Sequence, residues 1–462
     1  MLVRQVKTRN IASAFVVGLL LAACGGRDLG ESPGAALDAE LLQLMSRASE
    51  TGDPSWFALP SPDEYDRIPQ DPKNPLTRAK VELGRLLFHD TALERDPRLP
   101  PGAGRVSCAS CHFAQAGFQA GIPQGVGEGA FGFGRRGEQR RIDDSYPPDS
   151  VDVQAFRTPT VLNIAFQIVL GWSGQWGAVG PNVGTKYSWM GGAAPNRLGF
   201  QGVESQAIAA LDTHGLSVED GFFDELPEYR RLFDEAFPEV PEYRRYTDRV
   251  AALAIAAYQR TVLTNQAPFQ RWLRGDRSAM ATPEKRGAVL FFGEAGCVTC
   301  HTGPALNSMQ FAALGMNDLY DRPDVIAPSH APDSLARRGR GGFTRRPDDD
   351  YAYKVPQLYN LADSPFYGHG ASFTSVREVV EYKNRAAPQK PIPRERLAPE
   401  FRPLGLDDGA VTAIVTFLSR SLQDPNIVRY VPSSVLSGRC FPNDDPQSRL
   451  DLECPPLETT SR

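Results

Sequence analysis

The sequence predicts a mainly α-helical fold with long loops and only short β pieces, built from two similar units. Three observations predict it. Alternation of β-branched residues is sparse, apolar residues recur at helical intervals in several segments, and one short motif occurs twice. The motif is Cys108-Ala-Ser-Cys111-His112 and again Cys297-Val-Thr-Cys300-His301. In C-x-x-C-H two cysteines form thioethers to the vinyl groups of a haem, and the adjacent histidine turns back beneath the iron as its proximal ligand. A single copy would leave a zinc half-site or a redox dithiol open. Two copies, in a chain with only six histidines and an export signal, read as two covalently bound haems c.

The chain of 462 residues is too long for one ordinary core, so two domains with extensions are expected. A hydrophobic content of 41% fits a globular protein, and a net charge of −5 gives no basic footprint for nucleic acid. Residues 1–23 read as a targeting segment. Arg4, Lys7 and Arg9 precede an apolar run, Ile11 to Leu21, that is too short to span a membrane as a mature helix. Leu21-Ala22-Ala23-Cys24 resembles a bacterial lipobox, which implies cleavage before Cys24 and a lipid on its thiol; an ordinary secretory signal is the alternative. Gly25 follows in place of a retaining aspartate, which favours the periplasmic side of the outer membrane. Of seven cysteines, Cys440 and Cys454 are then left over, either as a disulfide of an exported protein or as free thiols.

In order along the chain, residues 24–65 are polar and rich in Gly, Pro and Ser, and read as a flexible tether. A helix is expected over Ala79–Phe88, where Leu83, Leu86 and Leu87 share a face. Gly125–Gly137 lacks the strand and helix of a phosphate cradle and reads as a loop. Helices follow over Val203–Leu211 and Val250–Leu263, and Trp272-Leu-Arg-Gly-Asp276 marks a boundary. The expected units are 66–275, 276–425 and a C-terminal extension, 426–462. Gly84-Arg-Leu-Leu-Phe88 and Gly287-Ala-Val-Leu-Phe291 each precede a haem motif and hint at duplication. Ser375-x-x-Glu378 is a capping-box pattern that opens a helix with Val376, Val379, Val380 and Lys383 on one face.

From about Ile68 to Leu422 the chain resembles the bacterial di-haem cytochrome c peroxidases, including the MauG type. The resemblance rests on the two haem motifs, Pro159-Thr-Val-Leu-Asn163 with Trp172, Glu204-Ser-Gln206-Ala207, Gly275-Asp276, Leu290-Phe-Phe-Gly293, and the run from Val355-Pro-Gln-Leu-Tyr-Asn360 to Phe373. It implies two cytochrome c-like haem domains. The N-terminal haem would reduce hydrogen peroxide, and the C-terminal haem would take electrons from a small cytochrome c or cupredoxin. A homodimer is compatible with it.

The resemblance also assigns residues. His112 would carry the peroxidatic haem, and no histidine lies between it and His214 to close the open iron position. Gln206 matches a distal glutamine. The glutamate expected ten positions later is Leu216, so His214 is read as the replacement base, with Glu219 or water as the alternative. Trp172 matches the tryptophan that carries electrons between the haems. His301 would carry the second haem. Its sixth-ligand position falls on Lys383, either a deprotonated amine on iron or a snorkelling side chain, with Tyr382, Met309 and Met316 as further candidates. His369 would lie near a haem propionate, while His89 and His330 read as surface or loop residues. Calcium occurs between the halves in much of the family, but Arg157 stands where an asparagine ligand is expected. A MauG-like oxidase acting on a partner protein and a plain electron-transfer cytochrome are the rival functions.

Overall fold

The computed structural model describes residues 33–99 and 102–455. The expected signal segment and the lipid-bearing Cys24 lie outside the described residues. The architecture is mainly helical. Its longer helices are α1 (Pro33–Ala48), α2 (Arg78–His89), α3 (Gly202–Thr213), α4 (Glu228–Ala236), α5 (Asp248–Arg260), α6 (Thr282–Phe292), α7 (Val376–Arg385) and α8 (Asp408–Thr416). The strands are two-residue pairs: β1 (Ala130–Phe131) with β2 (Arg141–Ile142), and β3 (Phe311–Ala312) with β4 (Tyr353–Lys354), both antiparallel. Among the described residues, no helix is long and apolar enough to cross a membrane.

Two large hydrophobic clusters organise the chain. The first joins α2, α3 and α5 around Leu83, Phe88, Val203 and Tyr258, and includes Ala109 of the first haem motif. The second joins α1, α6, α7 and α8 around Leu41, Phe269, Phe291 and Phe417, with Cys297 packed against it. The helix pairs cross closely because a glycine stands at each contact. A Cβ on Gly84 would lie 1.9 Å from the Ala254 carbonyl oxygen, and one on Gly287 would lie 2.0 Å from that of Ala413. The echo of Gly84–Phe88 in Gly287–Phe291 is therefore a shared packing device.

A stronger repeat lies beyond the haem motifs. Arg157-Thr-Pro-Thr-Val-Leu-Asn163 aligns with Lys354-Val-Pro-Gln-Leu-Tyr-Asn360. Asn163 (φ 57°) and Asn360 (φ 54°) both adopt the left-handed conformation before a short 3₁₀ turn. Each side-chain oxygen accepts an N–H from the opposite end of its own unit, from Thr264 at 3.0 Å and from Asp424 at 3.1 Å. The two repeats then exchange bonds. The Arg157 N–H donates to the His369 carbonyl and the Lys354 N–H to the Trp172 carbonyl, both at 2.8 Å. The Arg157 guanidinium reaches the Ser364 hydroxyl, and the Lys354 ammonium reaches the Gln167 amide oxygen. Gln167 and Trp172 follow Arg157 at the same intervals at which Ser364 and His369 follow Lys354. The halves thus meet about a local pseudo-twofold.

Three expectations need correction. Residues 33–65 are no free tether: Leu41 and Met45, four apart on α1, are fully buried in the second cluster. Asp38 on the same helix accepts from the Trp272 indole and pairs with Lys285. The second cluster already includes Ala267, Phe269 and Trp272, ahead of the expected boundary at 276. The C-terminal extension folds back onto the N-terminal half, where Ile427 and Tyr430 join the first cluster and the Pro442 carbonyl accepts from Ser107 and Ser110. Cys440 and Cys454 are bridged. Because neither glycine contact leaves room for a methyl, Gly84→Ala and Gly287→Ala are each expected to destabilise the fold by about 1–3 kcal/mol, read as a lowered denaturation midpoint.

Candidate active site

The first haem motif opens a short 3₁₀ turn, Cys108–Ser110, after which His112 folds back on it with its N–H bonded to the Cys108 carbonyl. The His112 ring Nδ1 lies 3.2 Å from the Phe118 carbonyl oxygen. A donor bond there leaves Nε2 as the metal-facing nitrogen. The second motif repeats this. His301 Nδ1 lies 3.2 Å from the Leu306 carbonyl and 3.1 Å from that of Pro356. Burial pushes both imidazoles down to about 4, so both are neutral.

Cys108, Cys111, His112, Gln206, His214 and Leu216 line one cavity with about 560 Å³ of empty space, partly open to solvent. Helix periodicity explains how: Gln206, Ala207, Ala210 and the C-capping His214 follow one face of α3. Leu216 therefore does occupy the wall, and it presents no acid. Among the cavity's other lining residues are Asp152 and Gln259, which the sequence had not singled out. Asp152 comes from an irregular loop with no pattern to announce it. Gln259 interrupts the apolar face of α5, a signal that was readable.

His214 Nδ1 lies 2.6 Å from the Asp152 carboxylate, which also takes a bond from Arg98 at 2.9 Å. Burial disfavours charge on both partners of this pair, yet their mutual attraction wins: Asp152 is held below its ordinary value and His214 above 6.5. Nδ1 is committed to Asp152, so Nε2 is the nitrogen free to act.

The residues fit haem c. All four motif cysteines are unbridged, and burial pushes the Cys108 and Cys111 thiols up to about 12. Thioether attachment requires free thiols at both ends of each motif, and all four are free. Gln259 also presents a buried amide oxygen without a hydrogen-bond partner among the described residues. Arg157 and Lys354, each two residues before the proline of its repeat, are buried basic groups with no carboxylate partner among the described residues, and burial pushes Lys354 down to about 7. A haem edge bears two carboxylates. Calcium does not fit Arg157: its guanidinium already donates to the Ala120 and Ile122 carbonyls and to Ser364.

Lys383 occupies the last turn of α7, its ammonium 5.9 Å from the Phe401 ring centroid, and burial pushes it down to about 8. Its charge is felt by Cys297, Cys300 and His301, which places it at the second motif. Tyr382 is turned away, its hydroxyl donating to the Leu314 carbonyl. Met316 packs beside Tyr382 and Phe401, and Met309 is partly buried. Trp172 donates its indole N–H to the Arg157 carbonyl at 2.8 Å and meets the His369 ring at 6.2 Å between centroids. His369 is buried and bonded to Asp318, whereas His330 is exposed. His89 is no surface residue: it is 2% exposed on α2, packed among Phe88, Tyr258 and Phe441. Glu219 does not line the cavity.

The Asp152–His214 pair fixes a pH dependence. The His214 share of stability is complete below pH 6.5 and is lost as pH rises through its raised folded value; the Asp152 share is present above pH 3.8 and is lost as pH falls through its lowered folded value. Asp152→Asn leaves burial unopposed, so the His214 midpoint is expected to fall below 6.5 in an imidazole NMR titration.

Residues 78–278 match the family described as di-haem cytochrome c peroxidase. Methylamine utilization protein MauG of Methylorubrum extorquens is 29% identical over 366 residues, covering 78% of this chain and 83% of that protein. Cytochrome-c peroxidase IdrP1 of Denitromonas iodatirespirans is 27% identical, covering 78% and 86%. Cytochrome c peroxidase Ccp of Escherichia coli K12 is 27% identical, covering 71% and 57%. A solved MauG-like protein associated with microbial copper homeostasis shares the fold, with a TM-score of 0.55 at 22% identity over 80% of this chain and 96% of its own. Two haem-binding motifs on matching halves, and relatives that bear both peroxidase and MauG names, converge on one conclusion: residues 78–278 carry a di-haem cytochrome c peroxidase domain, and the chain around them is similar both to cytochrome c peroxidases and to MauG proteins.

Proposed function

We propose that this chain is a di-haem peroxidase that reduces hydrogen peroxide to water with electrons from a small cytochrome c or cupredoxin. Electrons are accepted at the His301 centre and cross by Trp172 to the His112 centre, where peroxide reacts. The lipobox-like Leu21–Cys24 supports a lipid-anchored protein on the periplasmic side of the envelope, at the outer membrane. One observation carries the reading: a single cavity gathers the first haem motif, Gln206 and an Asp152-oriented His214.

Held by Cys108 and Cys111 with His112, and by Cys297 and Cys300 with His301, the two haems supply redox iron, one for peroxide and one for the donor. The protein supplies the proton chemistry. Cleavage of the O–O bond requires a proton to move from the near to the far oxygen. Neutral His214, its Nδ1–H donated to Asp152, offers Nε2 for that transfer, and the carboxylate stabilises the imidazolium that forms. The Gln206 amide, on the same face of α3, orients the bound peroxide.

His214→Ala is expected to slow the peroxide reaction by about 10²–10⁴-fold, measured by stopped flow. An unchanged rate would assign the base to water or Glu219. Because the base acts neutral, the wild-type rate should rise as pH passes the raised His214 value, and Asp152→Asn should move that limb to lower pH. Lys383→Ala changes the visible spectrum if the amine binds iron, and leaves it unchanged if Lys383 only snorkels.

The second reading is a MauG-like oxidase that modifies a partner protein, favoured by the lysine where methionine is expected and by the similarity to MauG. Mixing pre-reduced small cytochrome c, enzyme and peroxide separates the readings. Rapid donor oxidation, two electrons per peroxide, supports the peroxidase. A long-lived oxidised state with little donor turnover supports the oxidase, and no response leaves an electron-transfer cytochrome.

A further inference from the structure

Beyond Trp172 the aromatic contacts continue through His369. The His369 ring lies flat on Tyr353, with centroids 3.5 Å apart and planes 13° from parallel. Phe156 closes the stack with edge contacts to both rings. The Tyr353 hydroxyl donates to Asp318 Oδ1 at 3.0 Å, with the Ala336 carbonyl as a longer second acceptor at 3.3 Å, and the same Asp318 oxygen accepts from His369 Nε2 at 3.0 Å and from the Lys390 ammonium at 2.6 Å. Tyr353 and Asp318 are 8% and 7% exposed. Burial opposes the charge on Asp318, but the His369 and Lys390 bonds hold it ionised, so it faces the phenol as a carboxylate.

We propose that Tyr353 is a one-electron donor in the peroxide reaction, with Asp318 taking its phenolic proton, so that one oxidising equivalent is stored on the protein. This rests on the peroxidase reading above. Hydrogen peroxide becomes two waters by accepting two electrons and two protons. Tyr353 supplies one electron through His369 and Trp172; the other would come from the haem iron, which the external donor afterwards restores, so that peroxide without a donor still leaves the tyrosyl radical. The phenolic O–H bond breaks, its proton passes to Asp318, and a neutral tyrosyl radical remains; the protons consumed by peroxide come from solvent. A phenol that has lost an electron is a strong acid, so a carboxylate already hydrogen-bonded to it lets the electron leave without charge building up in a buried site.

Other tyrosines lack one half of this arrangement. Tyr367 and Tyr382 donate to backbone carbonyls. Tyr146, Tyr229 and Tyr246 donate to carboxylates, but no ring contact among the described residues links them to Trp172. Tyr353 alone of these joins the Trp172–His369 contact to a carboxylate.

The test is freeze-quench electron paramagnetic resonance of the purified di-haem protein, carrying ring-deuterated or ordinary tyrosine, after mixing with hydrogen peroxide without a donor. The expected result is a narrow organic-radical signal that deuteration simplifies and that Tyr353→Phe abolishes, since phenylalanine keeps the stacked ring and loses only the hydroxyl. Asp318→Asn should slow the appearance of the signal by roughly a hundredfold, the scale of a positioned proton acceptor. A tyrosyl signal that persists in Tyr353→Phe overturns the proposal. So does a wild-type protein whose haem bands respond to peroxide without any tyrosyl signal, which leaves the peroxidase reading standing. Haem bands indifferent to peroxide overturn both.

Discussion

Two backbone hydrogen bonds carry the junction on which the rest of this molecule depends: Arg157 N–H to the His369 carbonyl and Lys354 N–H to the Trp172 carbonyl. Each crosses from one half to the other, joining the backbone of a basic residue in one half to that of an aromatic residue in the other. Because the repeats are equivalent, satisfying one bond aligns the other. The 6.2 Å approach of the Trp172 and His369 rings follows from that register, since both rings stand on the residues that accept the bonds. Side-chain bonds from Arg157 to Ser364 and from Lys354 to Gln167 lock it further.

The two halves use one packing scheme for different ends. In both, a glycine lets two helices approach closely, and a backbone carbonyl orients the proximal histidine. They diverge at the open side of the motif. The first half presents a cavity with an amide, an imidazole and a carboxylate. The second presents Lys383 on an apolar helix face, beside Phe401. Burial depresses the lysine because nothing of opposite charge is bonded to it, whereas the Asp152–His214 pair withstands burial through its own attraction.

The ends of the described chain cross over. Helix α1 packs on the C-terminal cluster, and the tail beyond Leu422 packs on the N-terminal one, where Asp90 accepts from Ser437 and the Pro442 carbonyl accepts from Ser107, just before the first haem motif, and from Ser110 within it. Each cluster is thereby completed by a segment distant in sequence. Local pattern understated both segments, because a polar, Pro- and Gly-rich composition outweighed a few well-spaced apolar residues such as Leu41 and Met45.

By itself the sequence determined the helical class, the two haem motifs, the helix that carries Gln206, and the capped helix that carries Lys383. These are local properties: C-x-x-C-H spacing is covalent geometry, and helical periodicity needs only neighbours along the chain. Only the tertiary structure decided that Asp152 meets His214, that His89 is interior, that Arg157 and Lys354 exchange partners across a pseudo-twofold, and that Tyr353 lies on His369 above Asp318. Each of these joins residues tens or hundreds of positions apart, and such pairings follow from how the helices and loops close on one another, which no local pattern encodes.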